Sequence, residues 1–232
     1  MKPAVSVFWF RRDLRLTDNA GLFQALQSGQ PVLPVFIFDT DILDSLEDKD
    51  DRRVEFIHRA LSGMQEELTA LGSTIDVMYG KPLQVYRELL REYNVTSVYT
   101  NHDYEPYALE RDAAIGQWLK AKGCSFQTFK DQVILEKNEV LKDDGKPYTV
   151  FTPYSRKWKA VLGAQTMPVF NTKKYFKHFF QQPAKAIPSL VSMGFTARGL
   201  PFPANSWKKE VISRSPGGFL SRPTAGRKKS SA

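Results

Sequence analysis

Five short β-rich runs alternate with helical segments through the first 129 residues, joined mostly by short connections. That alternation constrains the fold more than any other feature of the chain. "VSVFWF" at 5–10 has the length and branching of a buried strand. "TDNAGLFQALQSG" follows as a helix, with Asp18 as the expected N-cap, Leu22 and Leu26 on one face and Gly29 as the stop. Val32 to Phe38 form the second strand, although Pro34 lies inside it. After an acidic loop, the spacing of Val54, Ile57, Leu61, Met64, Leu68 and Leu71 predicts a helix over 52–71, ended by Gly72. "TIDVMYG" is the third strand. A helix beginning at Pro82 comes next, with Leu83, Tyr86, Leu90 and Tyr93 facing inward. "SVYTNHD" is the fourth strand, "EPYALERDAAIGQWLKAKG" the fourth helix, and "CSFQTF" the fifth strand.

Strands that alternate with helices must lie parallel, because each helix carries the chain back to the start of the next strand. The expected class is therefore α/β: a doubly wound, five-stranded parallel sheet (Rossmann-like) over residues 1–130. Ligands of such sheets bind beyond the carboxyl ends of the strands, where the strand order reverses. From residue 130 the alternation dissolves. A turn at Asp144-Gly145, an aromatic stretch and a short helix are expected within an irregular connector over 131–205. Residues 206–232 are Gly/Ser/Pro-rich and basic, and we expect disorder there.

Charge is divided unevenly. Residues 1–129 carry 14 Lys+Arg and 19 Asp+Glu, a net −5, whereas 130–232 carry 19 and 6, a net +13. A basic second half suits either an anionic partner or a solvated tail. Cys124 is the single cysteine, which excludes an internal disulfide and fits a reducing cytoplasm. No apolar run has membrane-spanning length, and "MKPAVSVFWFRRD" reads as a first strand rather than a signal peptide.

The residues that fall at strand ends are polar and charged. Strand 1 delivers Arg11, Arg12 and Asp13, strand 2 Asp39, and strand 4 Asn101, His102, Asp103 and then Glu105. Arg52 and Arg53 open the long helix. One rim bearing guanidinium and carboxylate groups can grip a planar polar ligand, since guanidinium planes stack and donate as a fork while carboxylates accept ring N–H or hydroxyl donors. A glycine-rich dinucleotide fingerprint, a Walker loop and a G-x-S-x-G elbow are all lacking. His58, His102 and His178 show no metal-ligand spacing. Tyr148, Phe151, Tyr154 and Trp158 recur at three- and four-residue steps, which suits core packing. Arg156, Lys157 and Lys159 between them admit nucleic-acid contact as the alternative.

Four separate segments together resemble the photolyase/cryptochrome family. "FWFRRDLRLTDNAGL" resembles its amino-terminal signature and "PVFIFDTDIL" its second strand and loop. "NHDYEPYALERD" is similar to its fourth strand-to-helix turn, and "GKPYTVFTPYSRKW" to the segment leaving its α/β domain. The likeness runs from about residue 5 to about residue 203. It implies an α/β domain that binds a light-harvesting antenna chromophore. In the family a helical domain follows, which holds FAD and the DNA lesion, and light-excited reduced FAD splits pyrimidine dimers there. The present chain stops where that domain is expected to begin, as a truncation or a reading-frame change near Ser213 would produce. It is therefore expected to be inactive alone in repair.

The family's folate-binding members carry an Asn-Glu pair where this chain has Tyr107 and Ala108. The resemblance thus favours a deazaflavin or FMN antenna over folate. The antenna contacts it implies are Ile37, Phe38, Asp39, Arg53 and Asp103, with Glu105 as a weaker addition; Arg11 joins them as an expected contact from the rim read off the strand ends. Asp13 and Arg15 are expected to fix the turn or to face the helical domain. The expected partners are DNA, bound at most weakly and salt-sensitively here, and other copies of the chain through an exposed apolar surface. Two other readings stay open: a cryptochrome-like signalling fragment and a generic flavin- or nucleotide-binding domain.

Overall fold

The computed structural model describes residues 2–165 and 168–199. The expectation of disorder over 206–232 lies outside the described residues. Residues up to Arg198 belong to one compact unit built on a five-stranded, all-parallel sheet of order β3-β2-β1-β4-β5. The strands are β1 (Ala4–Phe10), β2 (Val32–Asp39), β3 (Asp76–Gly80), β4 (Asn94–Asn101) and β5 (Ser125–Phe129). The chain winds outward from β1 to β3, crosses back to β4 on the other side of β1, and continues to β5. The order therefore reverses between β1 and β4, and the doubly wound arrangement read from the sequence is the one formed. Pro34 is accommodated inside β2, where it stands opposite Phe8 of β1.

Alternation along the strands divides the core in two. Phe8, Phe10, Phe36 and Phe38 point to one face, where they meet α1 (Ala20–Leu26) and α3 (Arg52–Thr69). Val5, Val7, Trp9, Leu33, Val35 and Ile37 point to the other, against α4 (Pro82–Glu92) and α5 (Pro106–Ala121). Within the acidic loop, Thr40–Leu43 form a single helical turn, α2, capped by the Asp39 carboxylate. The sequence pattern had shown only a loop there.

Several expected details are corrected. The N-cap of α1 is Asn19, whose Oδ1 accepts from Leu22 N (3.0 Å). Asp18 instead adopts φ +50° and accepts from Phe170 N (3.1 Å). Leu71 lies past the end of α3 and is exposed. On α4, Val85 and Leu89 are buried, while Leu83 and Leu90 are only partly so. The aromatic helix, α6 (Phe151–Gly163), has no buried residue, and Phe151 is 78% exposed. Core packing of its aromatics is thus not what the fold does with them.

The segment read as an irregular connector has no regular helix or strand over 168–199 except two 3₁₀ stretches, Thr172–His178 and Val191–Met193. It nevertheless forms part of the core. Phe179, Met193 and Phe195 are buried in the α1/α3 cluster, with Tyr175, Phe176, Ile187 and Leu190 packed around them. Polar bonds fasten this belt along its whole course. Thr172 Oγ1 donates to Leu16 O (2.6 Å), and Phe180 N donates to Val32 O (2.8 Å). Lys185 Nζ pairs with the buried Asp76 (2.6 Å), and Arg198 N donates to the buried Glu55 (3.0 Å). The cause lies in α1, which at seven residues is too short to cover its half of the face. Only the spacing of apolar residues within regular elements can be read as a pattern, so a belt without regular elements left no periodic trace.

Gly21 shows how closely α1 approaches the sheet. A Cβ there would lie 2.6 Å from Asn101 Oδ1 and 2.9 Å from the Phe8 ring. Gly21→Ala should therefore destabilise the protein by about 1–3 kcal/mol despite the better helix propensity of alanine. Urea unfolding checks this, and an unchanged or raised midpoint would refute the close-approach argument.

Candidate functional site

The strand ends meet at the reversal point. Arg11, Arg12, Asp13 and Arg15 follow β1, Asn101, His102 and Asp103 end or follow β4, and Asp131 and Gln132 follow β5. Together they line an open crevice of about 350 Å³. The same rule that singled out the ends of β1, β2 and β4 in the sequence could have found Asp131 at the end of β5.

The crevice rests on a polar hub. Asn101 Nδ2 donates to Asp13 Oδ2 (2.5 Å) and to Asn19 Oδ1 (2.9 Å), while its Oδ1 accepts from Gly21 N (2.8 Å). Asn19 Nδ2 also donates to Asp13 (3.0 Å), and Arg11 N donates to the other Asp13 oxygen (2.9 Å). Asp13 therefore fixes the turn, one of the two roles expected of it. Arg15 is held by Asp131 (2.7 Å), whose second oxygen accepts from Ala20 N (2.9 Å).

The expected site residues separate into three groups. Arg12, Asp103 and Glu105 come together on the rim: Arg12 Nη2 lies 2.6 Å from Glu105 and its Nε 3.6 Å from Asp103. The Arg12 side chain remains 52% exposed despite these pairings. The bond to Glu105 raises its pKa further against a smaller opposing effect of burial.

Asp39 belongs to a second, buried group. Its Oδ2 accepts from the Tyr107 hydroxyl (2.7 Å) and lies 3.6 Å from Arg111. Burial pushes the Asp39 carboxyl up, and the bonds from Tyr107 and Asp41 N and the charge of Arg111 offset this only in part. The Tyr107 phenol is pushed up in turn, by burial and by its bond to Asp39. Arg11 also lies here, donating to both oxygens of Asp112 (2.9 and 2.7 Å) and to the Asn101 carbonyl. Arg11 and Arg111 both stand near the Trp9 ring, at 5.1 and 4.8 Å from its centroid. Tyr107 and Arg111, one helical turn apart on α5, and Asp112 beside them were not recognised from the sequence as partners of Asp39 and Arg11. Their i, i+4 spacing was the available signal.

Ile37, Phe38 and Arg53 complete the picture. Ile37 and Phe38 are both buried and lie in different halves of the core, on opposite faces of β2. Arg53 pairs with Asp51, the N-cap of α3 (2.6 Å), and is 75% exposed. A cluster the sequence reading missed stands beyond β4. Glu136 accepts from the Tyr104 hydroxyl and bonds His102 Nδ1 (2.9 Å). Burial opposes ionisation of Glu136, but these bonds outweigh it and hold the carboxyl below its ordinary value. Among the described residues no helix is long and apolar enough to cross a membrane.

The crevice lies at the reversal point of the sheet, where ligands of doubly wound sheets bind. Comparison with known proteins identifies the architecture further. The DNA photolyase family model matches residues 6–172. The chain belongs to the DNA photolyase family. A deoxyribodipyrimidine photo-lyase of Halobacterium salinarum is 36% identical over 164 residues, covering 67% of this chain and 34% of that protein. An uncharacterized 31.6 kDa protein of Synechococcus is 35% identical over 168 residues, covering 72% of this chain and 59% of its own length. Cryptochrome-2 of Arabidopsis thaliana is 31% identical over 158 residues, or 68% of this chain and 25% of the relative. The chain thus spans from a quarter to three fifths of the length of these relatives. A class III photolyase from Agrobacterium tumefaciens superposes with a TM-score of 0.69 at 26% identity, covering 90% of this chain and 41% of that one.

The buried Asp39 gives a pH signature. Its folded pKa is raised, so between the ordinary value of 3.8 and that raised value the folded state holds more proton than the unfolded. Its contribution to stability therefore falls as pH rises through this window. Asp39→Asn removes the titration, so the stability of the variant relative to the parent should rise with pH above 3.8 and then level off. Urea unfolding across that range tests the sign, and a difference that stays flat or falls with pH refutes it.

Proposed function

We propose that this chain is the antenna-binding α/β part of a photolyase-type protein, and that the crevice holds a deazaflavin or FMN in preference to folate. The single observation that carries the reading is the Arg12–Asp103–Glu105 group at the mouth of the reversal-point crevice. A guanidinium that is half exposed can lie on a flat ring system, and the two carboxylates can accept its N–H or hydroxyl donors. Ile37 and Phe38 lie in the core, Asp39 is bonded to Tyr107, and Arg53 sits at the start of α3, so the reading rests on the rim. The described residues form the kind of α/β unit that the resemblance assigns to the antenna, whereas it assigns FAD and the lesion to a helical domain. We therefore propose that the chain alone collects light and does not split pyrimidine dimers. The buried free thiol of Cys124 accords with the cytoplasmic setting that the proposal assumes.

Titration of the purified chain with FMN, a deazaflavin and ATP, followed by absorbance, tests this proposal. The two ring systems should bind in preference to ATP. Arg12→Ala should weaken them about tenfold, the loss of one charge-assisted contact worth about 1.4 kcal/mol. Preferential ATP binding, or an Arg12→Ala affinity equal to the parent's, would sink it. Dimer splitting under light with added FAD, above the rate of free flavin, would overturn the claim of inactivity.

Self-association is part of the same proposal, because Val150 and Phe151 at the start of α6 are 60% and 78% exposed. Light scattering should show a concentration-dependent mass that Phe151→Ser reduces. A monomer at every concentration would rule the association out.

A further inference from the structure

We infer that the flank of the unit alongside α1 carries a second site, one that takes a single-stranded nucleic acid. The site is built on the 3₁₀ stretch Thr172–His178. Lys173, Lys174 and Lys177 are exposed there, and none of them forms an ion pair among the described residues. Lys174 Nζ lies 5.9 Å from the Tyr175 ring centroid, and among the described residues no carboxylate pairs with any of the three. Residues 168–199 contain five Lys+Arg and no Asp or Glu, and two of the five are used internally, Lys185 on Asp76 and Arg198 on Asp50. The elements packed against the stretch, α1 and the first part of β2, contain no charged residue either. The one carboxylate close in the chain path, Asp18, already accepts from Phe170 N.

Three like charges on seven residues repel one another, and Lys174 and Lys177 stand three apart, where a 3₁₀ helix stacks side chains on one edge. Such crowding without a counter-charge is favoured by an anionic partner. The two lysines are separated by about 6 Å along the axis, which suits successive phosphates of an extended strand. The platform beneath is rigid. Thr172 and Phe179 are buried, Tyr175 packs edge-on against Phe23 (5.5 Å), and His178 Nδ1 donates to Leu26 O (2.6 Å). Since a carbonyl oxygen can only accept, that bond places the proton on Nδ1.

Beside the lysines lies a concavity of about 440 Å³, whose walls include Pro31, Lys177, His178, Phe179 and Phe180. Its mainly apolar walls offer a flat base something to lie against, while the lysines meet the phosphates. That combination of stacking surface and cationic track is what binds single strands without sequence preference. A duplex keeps its bases stacked inside and can use only the lysines. None of the three lysines lines the crevice, and the site does not depend on the chromophore proposed there.

The test uses the full chain and a fluorescently labelled oligothymidylate, with anisotropy read over a series of salt concentrations. The basic residues after 206 serve as the internal comparison. Lys173→Gln/Lys174→Gln/Lys177→Gln should weaken binding at least tenfold and flatten the log–log salt slope by about 2, the release expected for three phosphates on a single strand. Arg227→Gln/Lys228→Gln/Lys229→Gln should weaken it less. Lysine-variant melting should match the parent's, since all three side chains are exposed. An ultraviolet cross-link from the bound strand should map to 172–181. Unchanged affinity and slope in the lysine variant, or a larger loss in the tail variant, overturns the site. Equal competition by poly-glutamate at matched charge, or equal affinity for a duplex, overturns the assignment to a single strand.

Discussion

Everything at the candidate site hangs on how the side chain of Asn101 is satisfied. It is 4% exposed, and its amide must find partners inside the protein. It finds them in three separate pieces of chain: the turn after β1 through Asp13, the cap of α1 through Asn19, and the first turn of α1 through Gly21 N. One buried amide therefore sets the end of β1 against the end of β4 and aims α1 at the sheet. Such a group costs about 1–3 kcal/mol when left without partners, so the three pieces are held to one geometry. The sharp passage from an apolar strand to "RRDLRLTDN" is the visible part of this arrangement. Asp13 and Asn19 serve the hub, Arg11 turns under α5, Arg15 reaches Asp131, and only Arg12 is left at the mouth with its side chain half in solvent.

The buried acids illustrate how such a site tolerates charge. Asp39 and Asp76 both sit at strand termini on the sheet and both are pushed up by burial. Each is given a hydrogen-bond donor and a cation, Tyr107 and Arg111 for one, Gln182 and Lys185 for the other. A buried pair of this kind is poor evidence for stability but specifies geometry well, because removing one partner strands the other. Asp39 thereby locks α5 over the end of β2, and Asp76 locks the belt over the start of β3.

How much of this was legible in the sequence follows from what each feature depends on. The five strands and the helices between them were legible because periodicity is local. "VSVFWF" and the stripe from Val54 to Leu68 mean the same thing in any surroundings. The rim was legible in outline, since strand ends follow from strands. Partner choice was not. Arg11 and Arg12 are neighbours with the same chemistry, yet one is buried on Asp112 and the other is exposed. The difference arises from the side of the sheet that each faces, and from residues about a hundred positions away. The cap of α1 shifted by one residue for a similar reason. Asn19 can bond the helix and Asn101 at once, whereas Asp18, placed at positive φ, reaches Phe170. The belt was least legible, because its apolar residues follow no period.

The belt has a consequence for how the protein comes into being. Its bonds to the first strand-helix unit join residues more than 150 positions apart: Thr172 to Leu16, Phe170 to Asp18, His178 to Leu26. During synthesis the whole sheet emerges long before the residues that seal one of its faces. Until Phe179, Met193 and Phe195 arrive, Phe8, Phe36 and Leu26 have an unfinished cover. Loop closure over such distances is slow, and the open face is the kind that attracts other chains. The last thirty residues of this unit thus complete a face that its first hundred leave open.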